Sequence, residues 1–165
     1  MKLAEALIAR KNSVARIAEL KERFDRAAVH EEGEEPEEDA AALLESLKAQ
    51  FEQHYELIRD INKTNNATMV TTSRSGSNTT TLMEAIAWRD VLKFRHGYYS
   101  RMAQEIRNRN ESARYGLRAL EKPAKKVLSA GVSLTDINDI VNSTAAELRS
   151  LDAAIQAAGW STELL

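Results

Sequence analysis

The sequence predicts a mainly α protein, an antiparallel four-helix bundle of long helices with a small β-hairpin or loop insertion between helices two and three. Apolar residues recur at three- and four-residue spacings over four long stretches, which is typical of amphipathic helices. A segment rich in Thr, Ser and Asn, residues 67–81, separates the second stretch from the third. The length of 165 residues is that of one domain, so we expect residues 1–165 to form a single helical domain.

The first two helices are expected at about 2–29 and 39–64. Asp39 precedes the second apolar stretch and is a candidate N-cap. Because both helices have similar lengths and a short connection, we expect them to fold back on each other as an antiparallel hairpin. The two predicted stripes are Leu3, Ala6, Arg10, Ser13, Ile17, Leu20, Phe24 and Ala27, and Leu44, Leu47, Phe51, His54, Ile58 and Ile61.

The polar segment 67–81 carries β-branched residues on both sides of a turn cluster centred on Gly76. This pattern predicts a β-hairpin with strands at 69–72 and 79–81. Two isolated strands are marginally stable in water, so the pair would need another surface to pack on. A mobile polar loop is the alternative interpretation.

The third helix is expected at about 81–109. Gly97 lies in its middle, where glycine costs about 1 kcal/mol relative to alanine, and we expect a tight helix crossing there. Residues 110–132 are expected to be irregular or to hold one short helix over 124–130. The predicted stripe of the third helix is Leu82, Ala85, Arg89, Leu92, His96, Tyr99, Ala103 and Ile106.

The fourth helix is expected at about 133–158. The spacing of Ser133 and Asp136 resembles a capping box. Gly159 follows the last periodic residue and is expected to stop the helix, with Trp160 folding back onto the final turn. The predicted stripe, the most regular in the chain, is Leu134, Ile137, Val141, Thr144, Leu148, Leu151, Ile155 and Ala158.

Composition excludes several classes of protein. The 23 basic and 25 acidic side chains give a net charge of −2, so no overall basic excess indicates a nucleic-acid binder. The absence of cysteine excludes disulfides, thiolate metal sites and cysteine nucleophiles. We expect neither a signal peptide nor a membrane span, because charged residues interrupt every apolar run, and we predict a cytoplasmic protein.

Little in the sequence indicates a metal site, a cofactor site or a catalytic site. The segment 30–39 contains seven carboxylates, but their spacing matches no EF-hand loop and indicates a solvated connection. His54 and His96 occupy predicted seam positions and could meet in a bundle core, yet neither has the Glu three residues earlier that di-metal bundles use. No phosphate-binding loop or nucleophile motif is present. We therefore expect no metal, no cofactor and no enzymatic activity.

A basic stretch, residues 89–126, contains interleaved tyrosines. Phosphate contacts and base stacking on this stretch make nucleic-acid or polyanion binding an alternative function. The other interpretation is that these cations meet the acidic segment 30–39 or flank ordinary helix faces.

Polar residues at seam positions favour self-association, because such residues are costly unless paired and often set register or oligomeric state. We interpret Arg89, Asp90, Arg95 and His96 as a buried or interfacial polar network. The function predicted from these residues is a non-enzymatic, self-associating scaffold or interaction protein, with an unknown protein as a further partner.

Several short pieces of the sequence match, in order, a known family. The pieces are 33–39, 61–65, Leu82 through Arg89-Asp90 to Arg95-His96, Arg114-Tyr115, and Leu151-Asp152 through Ile155-Gln156 to Gly159-Trp160-Ser161-Thr162. Together they resemble a family of small, uncharacterised bacterial proteins that often carry the name septicolysin. The resemblance implies a mainly helical bacterial protein, and the family name implies a lysin-like activity. The matched polar positions, and hence our candidate functional or interface cluster, are Asn62, Thr64, Asn65, Arg89, Asp90, Arg95 and His96.

Overall fold

Four long helices dominate the computed structural model, which describes residues 1–29, 33, 37–72, 79–118 and 131–165. Helices account for 84% of the described residues, and a two-stranded antiparallel sheet stands between the second and third helices in chain order, so the predicted fold class is confirmed. The elements are α1 (Leu3–Ala28), α2 (Ala40–Ala67), β1 (Met69–Thr71), β2 (Thr79–Thr81), α3 (Leu82–Arg118) and α4 (Leu134–Ser161).

Two helix starts follow the predicted capping chemistry. The Asp39 side chain accepts a hydrogen bond from the Ala41 amide at 2.8 Å, at the start of α2. At the start of α4, the Ser133 amide donates to Asp136 Oδ2 at 2.7 Å, and the Asp136 amide donates back to Ser133 Oγ at 3.1 Å. Each pair satisfies amide groups that a helix start leaves without partners. Both predicted caps are confirmed.

The helix ends differ from those predicted. α2 continues to Ala67, because the Thr68 amide and hydroxyl both donate to the Thr64 carbonyl and prolong the helical bonding. α3 continues to Arg118, so the first part of the segment predicted as irregular is helical. The short helix predicted at 124–130 lies outside the described residues.

Gly159 does not stop α4, which runs on to Ser161. A glycine stop needs a left-handed backbone, and among the described glycines only Gly33 and Gly131 have positive φ. An added Cβ on Gly159 would lie 3.8 Å from Ala4 Cβ, an ordinary van der Waals distance, so packing does not require glycine at this position. Trp160, predicted to fold back, is helical and 60% exposed.

The described residues form two compact units. The first unit comprises Met1–Val70, Thr81–Met83 and Gln156–Leu165. In it α1 and α2 run antiparallel, as predicted, because Ser13 contacts His54 while Arg23, further along α1, contacts Glu38 just before α2. Its buried apolar side chains are Leu3, Ala6, Leu20, Ala27, Leu43, Ile61, Val70, Leu82 and Ala158.

The second unit comprises Thr71–Thr80 and Glu84–Ile155, within its described residues. Its core confirms the predicted stripes of α3 and α4, since every buried residue is one of their members. Trp88 Nε1 donates to Glu147 Oε1 at 2.8 Å and joins the two helices. The buried residues are Ala85, Leu92, Ala103, Ile137, Thr144 and Leu151.

Two sequence-based expectations about packing are wrong. An added Cβ on Gly97 would meet no atom within 4 Å, so this glycine makes no tight crossing within the described chain. On α2, Leu44 and Phe51 were expected in the buried stripe but are 38% and 54% exposed, while Leu43 is buried. In the N-terminal half of α2, the buried stripe is therefore shifted by about one residue from the predicted stripe.

Candidate functional site

The first three candidate residues, Asn62, Thr64 and Asn65, lie in the last two turns of α2. Their environments differ, because Asn62 is exposed, Asn65 is half-buried and Thr64 is completely buried. Neighbouring residues on a helix point in directions about 100° apart, so this spread follows from their positions. The structure therefore does not gather the three polar side chains into one site.

Thr64 joins α2 to the last residues of the chain. Its hydroxyl donates to the Asp60 carbonyl at 2.7 Å and accepts from the Leu165 amide at 3.0 Å. Its carbonyl accepts from Thr68, whose own carbonyl accepts from the Leu82 amide at 2.7 Å. A buried hydroxyl that both donates and accepts a hydrogen bond holds these two segments of the chain together.

The segment after α4 pairs with the segment before α1. Lys2 and Glu163 form an antiparallel β-bridge, in which the Leu3 amide donates to the Thr162 carbonyl at 3.0 Å. Lys2 Nζ also lies 2.6 Å from Glu163 Oε1. Hydrogen bonding from Lys2, followed by that from the N-terminal ammonium, lowers the pKa of Glu163 below its ordinary value of 4.5. No local sequence pattern predicts this bridge, because its two residues are far apart in the sequence.

The other four candidates, on α3, do not form one network. Arg89 Nη2 donates to Asp90 Oδ1 at 2.9 Å, and Arg89 Nε lies 4.0 Å from Asp152 Oδ1. The Arg95 guanidinium is separate and lies 5.9 Å from the centroid of the Tyr99 ring, within cation–π range. His96 is half-buried. Arg89 and His96 are seven residues apart and share one side of α3, whereas Asp90 and Arg95 project from other sides.

Ser13 and His54 form a polar contact between α1 and α2. Ser13 is 6% exposed, and its Oγ lies 2.5 Å from His54 Nδ1. The hydroxyl also donates to the Arg10 carbonyl at 2.8 Å, so we assign the shared proton of the pair to His54 Nδ1. Ser13 and His54 therefore join α1 to α2 across the helix interface. The proposed meeting of His54 with His96 stays a prediction, since the two lie in different units.

The acidic segment has structural roles in its described part. Glu38 accepts hydrogen bonds from the Arg23 guanidinium, including one of 3.0 Å from Nε to Oε2. That bonding lowers the pKa of Glu38. Asp39 caps α2, as given above. Within the described ranges, no group of three or more His, Asp or Glu side chains could hold a metal ion.

An exposed apolar stripe on α3 is the feature that the sequence analysis missed. We call it the aromatic face of α3 and define it as Ala87, Val91, Phe94 and Tyr98. The three large side chains are 49%, 70% and 55% exposed, in that order. The Phe94 and Tyr98 rings stack with centroids 6.2 Å apart. A second three- and four-residue spacing, on the side of α3 opposite Leu92, was the signal that could have revealed it.

A smaller stripe of the same kind lies on α2. We call Leu44, Phe51 and Tyr55 the aromatic face of α2, and Phe51 and Tyr55 are 54% and 57% exposed. Each of the two compact units therefore presents exposed aromatic side chains along a helix.

The described cations of the stretch 89–126 are spread around α3. From their positions on the helix, those with described side chains project in several directions and form no continuous basic stripe. They are Arg89, Lys93, Arg95, Arg101, Arg107 and Arg109. The lysines of this stretch after residue 118 lie outside the described residues.

The comparisons with known proteins find a family and a crystal structure, both of unknown function. Residues 10–164 match the model of a family of unknown function (DUF6847). The crystal structure of a functionally unknown conserved protein from Corynebacterium diphtheriae is similar, with a TM-score of 0.72 and 30% sequence identity over 100% of this chain and 99% of that one. No curated protein matches the chain. Unknown function agrees with the uncharacterised status that the septicolysin resemblance implied, and the septicolysin name itself stays a resemblance.

Proposed function

The chain belongs to this family of unknown function, DUF6847, and we propose that it is a non-enzymatic protein that self-associates as a scaffold or interaction module through the aromatic face of α3. The observation that supports the proposal is the 70% exposure of Phe94 beside the half-exposed Val91 and Tyr98. Contiguous exposed apolar side chains on a protein surface mark interaction sites. Aromatic residues contribute most of the binding energy when such a surface is covered.

The ion pairs on α3 do not require a second chain. Arg89 pairs with Asp90 and approaches Asp152 within its own unit. Two of the polar residues that favour self-association, Arg89 and Asp90, therefore have local partners. The proposal rests instead on the apolar side of the same helix. Association of two chains would remove these apolar side chains from water, which is favourable.

The mass of the protein in solution tests the proposal. We expect light scattering coupled to size exclusion to give a mass above the monomer's 18.4 kDa, increasing with protein concentration. The double variant Phe94→Ser/Tyr98→Ser should return the mass to that of the monomer. Phe51→Ser/Tyr55→Ser is the matched control, because it removes the same two ring types from α2. A wild-type chain that stays monomeric up to millimolar concentration would contradict the proposal.

The remaining sequence-based functions stay predictions. Polyanion binding through residues 89–126 predicts an affinity for short RNA or DNA that falls as salt is raised. The lysin-like activity implied by the septicolysin resemblance predicts release of dye from liposomes. No helix within the described ranges is long and apolar enough to cross a membrane. A cytoplasmic location is likewise a prediction.

A further inference from the structure

We infer that the partner of the aromatic face of α3 is a second copy of this chain, whose α3 packs antiparallel to the first around a two-fold axis midway between Phe94 and Tyr98. The inference rests on the proposed function and adds to it the direction of packing and the register. Three features of α3 support it: the spacing of the seam, the charges at and beside it and the position of Gly97.

The exposed seam of α3 has the alternating spacing of a coiled coil. Ala87, Val91, Phe94 and Tyr98 follow one another at intervals of four, three and four residues, and Arg101 continues the series. This spacing keeps one stripe facing a parallel or antiparallel neighbour. The seam of a coiled coil alternates between two kinds of position, called a and d, and in an antiparallel pair each a position faces a d position of the other helix. The reversal places Phe94 of one copy against Tyr98 of the partner subunit, and the same contact occurs twice because of the symmetry.

Charge complementarity favours the antiparallel direction. Asp90 precedes the proposed axis by about as many residues as Arg101 follows it, and Asp90 is the neighbour of Val91, the seam residue that faces Arg101 in the antiparallel pair. The two-fold axis therefore brings Asp90 beside Arg101 of the partner subunit. Both hydrogen bonds from Arg89 end on Asp90 Oδ1, so a second guanidinium can bond Oδ2. A parallel pair would instead place the seam residue Arg101 against Arg101 of the partner subunit, where like charges repel.

Gly97 lies beside the proposed axis. Its missing side chain is unexplained within the described chain, because an added Cβ would meet nothing within 4 Å. A mid-helix glycine costs about 1 kcal/mol relative to alanine, and close approach of another backbone is one reason to retain it. Next to the axis, glycine lets the two helices approach closely and gives the Phe94 ring of the partner subunit room to pack.

The same reversal does not suit the aromatic face of α2. An antiparallel pair centred between Phe51 and Tyr55 would bring Lys48 close to Arg59 of the partner subunit. Like charges at such an edge repel and oppose pairing. The charges therefore favour α3 as the surface that binds a second copy.

Charge reversal tests the register, with the dissociation constant of the dimer measured by sedimentation equilibrium. We expect Asp90→Arg and Arg101→Asp each to raise the dissociation constant by about tenfold, because each variant replaces two symmetric attractions by two repulsions. The combined variant Asp90→Arg/Arg101→Asp restores opposite charges at every contact and should return the constant to within about threefold of the wild type. Arg107→Asp is the matched control, since it makes the same change on another side of α3 and should leave the constant unchanged.

The outcomes separate this inference from the proposed function. A dimer whose dissociation constant responds to neither single reversal, or is not restored by the combined variant, overturns the antiparallel register while self-association stands. A dimer that responds only to Phe51→Ser/Tyr55→Ser assigns the interface to α2 and also overturns the inference. A wild-type chain that never associates overturns the proposed function itself. Circular dichroism of each variant verifies that the helices are retained.

Discussion

Replacing Thr64 by valine should destabilise the protein measurably without changing the shape of its core. Thr64 is completely buried, and its hydroxyl makes two hydrogen bonds, to the Asp60 carbonyl and from the Leu165 amide. Valine keeps the volume and the branching, so no cavity forms, but both bonds are lost. Each hydrogen bond of this kind contributes about 0.5–1.5 kcal/mol net, so we expect a loss of about 2 kcal/mol for the pair.

Urea unfolding followed by circular dichroism measures this loss. With a slope of about 2 kcal/mol per molar urea for a chain of this size, Thr64→Val should lower the midpoint by about 1 M at unchanged slope. Asn62→Ala is the matched control, because Asn62 is an exposed polar residue two positions earlier on α2. Its unfolding free energy should change by less than about 0.5 kcal/mol.

Thr64→Ser provides the complementary variant. It keeps the hydroxyl and removes one buried methyl group, which predicts a smaller loss of about 1 kcal/mol. A Thr64→Val protein that unfolds at the wild-type urea concentration would refute the assignment of Thr64 as the residue that joins α2 to the end of the chain. Equal losses for Thr64→Val and Asn62→Ala would refute it too, because burial distinguishes the two residues.

Three further predictions concern other contacts. Because the pKa of Glu163 is lowered in the folded state, its pairing with Lys2 should stabilise the fold fully above pH 4.5 and less as the pH falls below that value. The difference in unfolding free energy between the wild type and Glu163→Gln, measured by urea unfolding, should therefore shrink as the pH falls below 4.5. A difference that does not change with pH would show that the pairing is absent. Ser133→Ala removes the α4 cap and should cost about 1 kcal/mol by the same unfolding assay, whereas an unchanged midpoint would show that the cap is dispensable. Leu92→Ala creates a cavity at a fully buried position and should cost about 2–5 kcal/mol, seen as a large drop in thermal midpoint, and a small drop would mean that the core of the second unit is loosely packed.

Local chemistry explains which parts of the fold could be predicted from the sequence. Asp39 and Ser133 act on amides within three residues, so their caps are visible in a short window. The hairpin strands and the α4 stripe likewise depend on residues close in sequence. Gly159 does not adopt the positive φ of a helix stop, and it lies near Ala4, a residue distant in the sequence.

The candidate site was harder to predict for the same reason. Thr64 and Asn62 look alike as short polar residues near a helix end, and only the distant Leu165 amide gives Thr64 its buried role. The bridge between Lys2 and Glu163 likewise joins residues from the two ends of the chain. Contacts between distant segments depend on the tertiary fold, which no sequence window contains.

The two sides of α3 connect fold and function. Ala85, Leu92 and Ala103 form one buried stripe, while Val91 and Phe94 belong to a second stripe on the opposite side that remains exposed. Sequence periodicity predicts that a stripe will be buried, but it does not say whether the covering surface belongs to the same chain or to another one. A helix with two apolar stripes is expected to have two partners. For the first stripe of α3 the partner lies within the chain, and for the second a copy of the same helix, reversed, offers both the matching aromatic rings and the opposite charges.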